Sequence, residues 1–273
     1  MTRLTHFLSL LMALFIQSSA PAWAQDLCGA PEDTAGIPAP LPQVAHTLKP
    51  GHDLAILAIG SATMFGPEAS LLPGTVTSQT FVSPPRLTAP ATERLEIVSE
   101  LAFPKQMVRS LLASVPGASI SITVRGGKGL LATEMLEIMK DELQRRHFDL
   151  VLWQTGTVEA VRNFPPGEFG QTLLEGADAA HAAGADLILI DPQFSRFLQT
   201  NANLDPYAQA LQQVAATPGV VLFRRFDLMR SWVNDGQIDL ERTPRAERKK
   251  TVETLHACLG QSLARLVLNS SRL

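Results

Sequence analysis

Five short apolar segments alternate with helical patterns along this sequence, and this alternation limits the fold more than any other feature. Each segment has the length and composition of a buried strand. The predicted strands span residues 53–59, 119–124, 149–154, 185–190 and 219–223. Helices are predicted from 103 to the Pro116-Gly117 turn and over 132–146, 168–183, 205–216 and 244–268, with a further segment near 227–233. Because parallel strands need crossover connections, we expect an α/β fold, a three-layer αβα sandwich around a five-stranded parallel sheet.

The first 24 residues have the pattern of an export signal. Arg3 supplies the positive start, residues 7–16 form an apolar core, and Ala22-Trp23-Ala24 fits a cleavage site before Gln25. A membrane-spanning helix needs about 20 apolar residues, and neither this core nor any later stretch qualifies. We therefore expect a periplasmic or secreted protein without a membrane span after signal removal. An uncleaved N-terminal anchor is the alternative.

The rest of the chain, residues 25–273, is predicted to be a single domain. Residues 25–50 are rich in Pro, Ala and Gly and are expected to run extended over the surface. Residues 67–102 form an insertion rich in Pro, Ser and Thr, which is long for a loop in a compact domain. Two interpretations of it stay open: an irregular functional loop, or a hairpin around 75–82 followed by a helix over 92–101.

The charge pattern argues against nucleic acid as a partner. The formal net charge is −3, and no basic cluster carries interleaved aromatic residues. The histidines at positions 46, 52, 147 and 181 lack the partner spacing of a metal site and are interpreted as structural or solvated. We expect neither a metal nor a cofactor, and the sequence does not indicate the oligomeric state.

Both cysteines, Cys28 and Cys258, lie in the part of the chain that would be exported. In an oxidising compartment an isolated pair is more often a disulfide than a metal site. The bridge would join the start of the mature chain to its last helix. Two free thiols are the alternative.

The turns after the first three strands carry small and polar residues. Ser61 directly follows the first strand, Gly129 ends the turn after the second, and Gly156-Thr157 follows the third. In an open α/β sheet the ends of parallel strands meet at one edge, where such folds build their sites. Taken alone, Ser61 is either the cap of a following helix or a nucleophile. We interpret Glu159 as a first-turn helix acid. Asp191 either caps the exit of the fourth strand, which we favour, or lines the pocket.

With these turns in order, the chain resembles the SGNH, or GDSL, hydrolase family, which carries short sequence blocks on a flavodoxin-like sheet. The family's Gly-Asp-Ser block resembles Ile59-Gly60-Ser61 here. The second, third and last blocks resemble Arg125-Gly126-Gly127-Lys128-Gly129, Trp153-Gln154-Thr155-Gly156-Thr157-Val158-Glu159 and Glu253-Thr254-Leu255-His256. The resemblance spans nearly all of the mature chain apart from the insertion.

The resemblance implies a set of site residues. Ser61 would be the nucleophile, His256 its base, Glu253 the acid behind His256, and Gly129 an oxyanion donor. The alternative for His256, which lies near Leu255 and Leu259, is a half-buried helix histidine. The implied substrate-binding residues are Gln154, Gly156 and Thr157.

The chain also departs from the family's pattern. Val158 stands where the family has its oxyanion asparagine, and Gln154 or Thr157 would have to replace that donor. The supporting acid is Glu253, Asp239 or none. Residues 244–268 form one continuous predicted helix, whereas the family places its last block in a loop.

The implied function is an exported serine esterase acting on small acyl esters, such as O-acetyl groups on a glycan. An acyltransferase would use the same site. The alternative from another class is a catalytically degraded SGNH-fold protein that binds a glycan or a partner. A dinucleotide-binding oxidoreductase is disfavoured, because the glycines of 125–129 lack the Gly-x-Gly-x-x-Gly spacing after the first strand.

Overall fold

A computed structural model of the 273-residue chain describes residues 28–29, 32–67 and 98–272. The predicted export signal, residues 1–24, and most of the insertion lie outside the described residues. Among the described residues, no helix is both long and apolar enough to span a membrane.

A five-stranded parallel sheet forms the centre of the molecule. Its strands are β1 (Asp53–Gly60), β2 (Ser119–Gly126), β3 (Leu150–Gln154), β4 (Asp186–Ile190) and β5 (Val220–Phe223). All pairs are parallel, and the spatial order is β2-β1-β3-β4-β5. This is the flavodoxin-like order: the chain adds β2 on one side of β1 and then β3, β4 and β5 on the other side, so the topological switch point lies between β1 and β3. The expected fold class is confirmed, and all five strands lie within two residues of their predicted bounds.

Nine α-helices and two short 3-10 helices accompany the sheet in the described residues. The α-helices are α1 (Pro42–Thr47), α2 (Phe103–Ser114), α3 (Ala132–Arg145), α4 (Thr157–Arg162), α5 (Pro166–Ala182), α6 (Arg196–Asn201), α7 (Asp205–Val214), α8 (Arg225–Asn234) and α9 (Arg248–Ser270). The 3-10 helices are Glu32–Ala35 and Ala62–Met64.

The helices cover both faces of the sheet. One core packs α1, α2, α8 and α9 against Leu54, Ile56 and Ala58 of β1. The other packs α3, α5 and α7 against Leu57 and Ile59 of the same strand. Successive side chains of a strand point to opposite faces, so a strand buried on both faces must be apolar throughout. This explains why β1 reads as one apolar run.

The structure corrects several sequence-based bounds. Helix α1 lies inside the segment 25–50 that was expected to be extended; Pro42 stands at its first position, where the missing N–H costs nothing. The short helix α6 was not predicted, and for α4 only a first-turn acid, Glu159, was predicted without bounds, because six residues carry too little periodicity to detect. The last helix begins at Arg248 rather than at 244. In the described part of the insertion, residues 98–102 are not helical.

A disulfide joins Cys28 to Cys258 on α9, which confirms the predicted pairing. Arg265 adds a hydrogen bond from its guanidinium to the carbonyl oxygen of Cys28. The start of the described chain is therefore fixed to the last helix.

Candidate functional site

Ser61 lies directly after β1, at the edge of the sheet where the strands end, which we call the carboxyl edge. Its side chain is half-buried, and Gln154 at the end of β3 donates a hydrogen bond from Nε2 to Ser61 Oγ at 2.6 Å. Thr63 donates from Oγ1 to Gln154 Oε1 at 2.8 Å, so both ends of the amide are held. Thr63 Oγ1 also lies 3.5 Å from Ser61 Oγ. We call Ser61, Thr63 and Gln154 the Ser61 cluster.

Glycine allows this close approach. A Cβ on Gly60 would lie 2.8 Å from the Cβ of Gln154. The turn after β2 is also folded onto the end of β1: Gly126 pairs with Gly60, and the N–H of Gly127 donates to the carbonyl oxygen of Gly60 at 3.1 Å. A Cβ on Gly126, whose φ is +122°, would lie 2.0 Å from that oxygen. Gly129, with φ +77°, lies farther along the turn against the guanidinium of Arg162.

The third predicted turn is organised by Glu159. Its buried carboxylate accepts the N–H of Ala132 at the start of α3 and the N–H of Gly156 at 2.8 Å. Burial raises the pKa of Glu159, although these hydrogen bonds oppose the shift. The interpretation of Glu159 as a first-turn acid is confirmed, and its contact with α3 is the part that the sequence could not show. Thr157 begins α4.

His256 lies in the middle of α9 and is only 2% exposed. Its Nδ1 accepts the main-chain N–H of Phe103, the first residue of α2, at 3.1 Å. The first N–H groups of a helix lack partners within the helix, so His256 acts as a cap for α2. Burial, with a smaller effect from the charge of Arg225, lowers the pKa of His256 to about 4.

The structure does not bring His256 and Ser61 into hydrogen-bond contact. Within the described residues, the side-chain partners of Ser61 are Gln154 and Thr63. Neither proposed acid bonds to His256 there. Asp239 binds the guanidinium of Arg196 at 2.9 and 3.1 Å, and this interaction lowers its pKa.

Glu253 is half-buried on α9 and has no side-chain hydrogen bond or ion pair within the described residues. The other described histidines lie away from the carboxyl edge. His52 directly precedes β1, His147 lies three residues before β3, His46 is in α1, and His181 is in the last turn of α5 before β4.

Two charged residues of the edge form a second buried group. Asp191 follows β4 and accepts the N–H of Phe226 in the first turn of α8 at 2.9 Å, so it caps the helix after β5 rather than the exit of its own strand. Burial raises the pKa of Asp191 to about 7. Arg225, only 2% exposed, donates from Nε to the carbonyl oxygen of Asp191. Arg225 was not singled out in the sequence, where it is one of two arginines after β5.

Comparisons with known proteins agree with this architecture. A model of the Non-GDSL lipase-like family matches residues 27–273. No curated protein matches the chain. Similar solved structures include a two-domain esterase active on acetylated mannans, with a TM-score of 0.57, 12% identity and coverage of 89% of this chain but 57% of that one.

Two further structures cover nearly the whole of the other chain. An acetylxylan esterase from Geobacillus stearothermophilus has a TM-score of 0.53, 14% identity and coverage of 81% of this chain and 96% of that one. An α/β hydrolase from the metagenome of Lake Arreo, Spain, has a TM-score of 0.52 and 16% identity, and the match covers 78% of this chain and 97% of that one. At these identities the likeness shows a shared esterase fold.

Proposed function

The chain belongs to the Non-GDSL lipase-like family and is a divergent member of the SGNH/GDSL hydrolases, and we propose that it binds acylated ligands at the Ser61 cluster. In this proposal it does not hydrolyse them by serine–histidine chemistry. The ligand class is a small acyl ester, such as an O-acetylated glycan. The family match and the esterase fold support the ligand class. The hydrogen-bond partners of His256 and Ser61 support the absence of ester hydrolysis.

The hydrogen bond from Phe103 to His256 carries the proposal. A main-chain N–H can only donate, so Nδ1 of His256 holds a lone pair and the neutral ring carries its proton on Nε2. In a serine–histidine pair, Nδ1 carries the proton and Nε2 accepts the serine proton. His256 has the opposite tautomer. Its lowered pKa of about 4 also makes it a weak base near neutral pH.

The Ser61 cluster favours binding over attack. Gln154 occupies one lone pair of Ser61 Oγ, while within the described residues the hydroxyl proton has only the long contact to Thr63 as a partner. Ser61 is therefore a hydrogen-bond donor to a ligand at the carboxyl edge. Gln154 holds that donor in one orientation.

A serine esterase is the second candidate, because half-buried Ser61 follows β1, where the resemblance puts the nucleophile. In this proposal Ser61 attacks, His256 is the base, Glu253 supports it, and Gly129 meets the oxyanion. Gln154, Gly156 and Thr157 would contact the substrate. An acyltransferase would use the same residues and exclude water. Both require His256 to give up its bond to Phe103.

A reactive probe and a binding measurement separate the candidates. The protein is treated with a fluorophosphonate at high concentration and assayed with a chromogenic acetyl ester. Its binding to an acetylated xylo-oligosaccharide is measured by calorimetry. We expect neither labelling nor turnover, and we expect binding that Ser61→Ala weakens about three- to tenfold, the loss of one hydrogen bond. Ser114→Ala, at the far end of α2, is the matched control.

Each other result has a defined meaning. Labelling at Ser61, with turnover that both Ser61→Ala and His256→Asn abolish, would replace the binding proposal with the esterase. Labelling without a requirement for His256 would also contradict the binding proposal. An absence of labelling, turnover and binding would reject both candidates.

We also propose that the chain acts outside the cytoplasm, in the periplasm or as a secreted protein. The disulfide supports this location, because such bonds persist in oxidising compartments. Fractionation of cells that express the full sequence tests it. We expect a shortened, oxidised chain in the extracytoplasmic fraction, and an intact, reduced chain in the cytoplasm would contradict export.

A further inference from the structure

The carboxyl edge has an uneven distribution of charge. Three of its acids accept N–H groups at the starts of helices: Glu159 accepts that of Ala132 in α3, Asp191 accepts that of Phe226 in α8, and Glu241 accepts that of Arg196 in α6. A carboxylate at a helix N-terminus faces the positive end of the helix dipole, which offsets part of its charge. The raised pKa of Asp191, about 7, means that it is partly protonated near neutral pH.

Two exposed cations at the same edge have no ion pair within the described residues. Lys128 lies in the glycine turn after β2, and Arg162 is the last residue of α4. The Nη2 of Arg162 lies 3.3 Å from where a Cβ on Gly129 would stand, so its guanidinium contacts this turn. On α3, the carboxylate of Glu134 accepts the N–H of Leu131 and forms no ion pair with either cation within the described residues. The turn therefore carries two available positive charges.

Chain geometry sets an upper limit on the distance between these cations and Ser61. Gly126 pairs with Gly60, the residue before Ser61, and neighbouring strands lie about 4.8 Å apart. Three residues from Gly126 to Gly129 span at most about 11 Å. Ser61 is the next residue after Gly60, and the guanidinium of Arg162 lies about 5 Å beyond Gly129, so Arg162 is within roughly 25 Å of the Ser61 cluster. One oligosaccharide can contact both.

Arg225 adds a third positive charge on the other side of the edge. It is nearly fully buried, and within the described residues it has no carboxylate at ion-pair distance. Burial lowers its pKa to about 10, which still leaves it protonated near neutral pH. Buried charges are screened less by salt than exposed ones, so its field extends across the edge. These three cations have no ion pair with a carboxylate among the described residues, in a chain whose formal charge is −3.

We infer that the ligand of the Ser61 cluster is an anionic acylated glycan whose acidic groups contact Lys128 and Arg162. This inference rests on the proposed binding function. Ser61 and Gln154 contact the acyl ester, and the two cations contact carboxylates on neighbouring sugar units. Arg225 acts through its field rather than through contact.

Calorimetric titration with two probes of equal length tests this inference. One is an acetylated xylo-oligosaccharide, which is neutral, and the other is an acetylated oligogalacturonate. We expect tighter binding of the oligogalacturonate at low salt and a smaller preference as salt is added. Lys128→Gln with Arg162→Gln should weaken binding of the oligogalacturonate about three- to tenfold, because two exposed charge contacts are lost. The affinity for the xylo-oligosaccharide should stay unchanged. The matched control is Lys49→Gln with Arg248→Gln, two exposed cations without ion pairs within the described residues.

The outcomes separate this inference from the binding proposal. Equal affinity for both probes, with loss of binding in Ser61→Ala, would overturn the anionic ligand and leave the binding proposal standing. An equal effect of the control pair would show general charge attraction and would also overturn it. Failure of both probes to bind would reject both proposals.

Discussion

The turn around Ser61 and the segment of α9 around His256 hold the two side chains that the resemblance pairs, and they are built differently. Ser61 is half-buried at an edge, and its partners are other side chains. His256 is buried in the middle of a helix and bonds to the main chain of another helix. Side-chain partners can be exchanged for a ligand, whereas a buried cap keeps two helices together. Under the proposed binding function, Ser61 belongs to a ligand site and His256 belongs to the scaffold.

The largest expected effect comes from releasing α9. Cys28 and Cys258 are 230 residues apart, so their bond closes almost the whole domain. In the chain-entropy model, removing it with Cys28→Ala and Cys258→Ala costs about 5 kcal/mol in the free energy of unfolding, measured with urea. The reduced wild-type protein should match the double variant. A loss below about 1 kcal/mol would mean that packing alone holds α9 in place.

A second prediction concerns pH and tests His256 as a buried cap. In the unfolded chain a histidine titrates near 6.5, and in the folded chain His256 titrates near 4. As pH falls from 6.5 to 4, the unfolded state takes up a proton first and the wild-type protein loses stability. The loss attributable to His256 is up to about 3 kcal/mol. The Oδ1 of asparagine can accept the Phe103 N–H without titrating in this range.

Urea unfolding of the wild type and His256→Asn, repeated between pH 7 and pH 4, measures this effect. The stability advantage of the wild type should shrink as pH falls. Burial raises the pKa values of Asp186 and Asp191 to about 6 and about 7, so the contribution of these two groups to the free energy of unfolding increases as pH falls. Their contribution is common to both proteins and cancels in the difference. Parallel curves would show that His256 is not held neutral in the folded protein.

The contrast also explains how much the sequence could predict. The strands and their edge were predictable because apolar runs and glycine turns are local patterns, as in β1 and Gly60. The family was recognisable from four short blocks in order, and the family match confirms it. The disulfide followed from having only two cysteines.

The partner of each polar residue was not predictable, because it depends on long-range packing. His256 and Phe103 are 153 residues apart, and Asp239 and Arg196 are 43 apart. In the sequence, a histidine near an acid has the same pattern whether it is a base or a cap. The roles given to Ser61, Glu253, Gly129 and His256 by the resemblance stay predictions. Only the contacts of His256 and Ser61 distinguish the alternatives.

The smallest expected effect is the sharpest test of the contrast, because it measures coupling rather than stability. Ser61→Ala and Gln154→Met each remove one side of a 2.6 Å hydrogen bond, so their effects on the free energy of unfolding should be coupled by about 1 kcal/mol. Ser61→Ala and His256→Asn share no partner within the described residues and should be additive to within about 0.5 kcal/mol. Both cycles are measured by urea unfolding at pH 7. Strong coupling of Ser61 to His256, with none to Gln154, would join the two residues into one site and restore the catalytic pair.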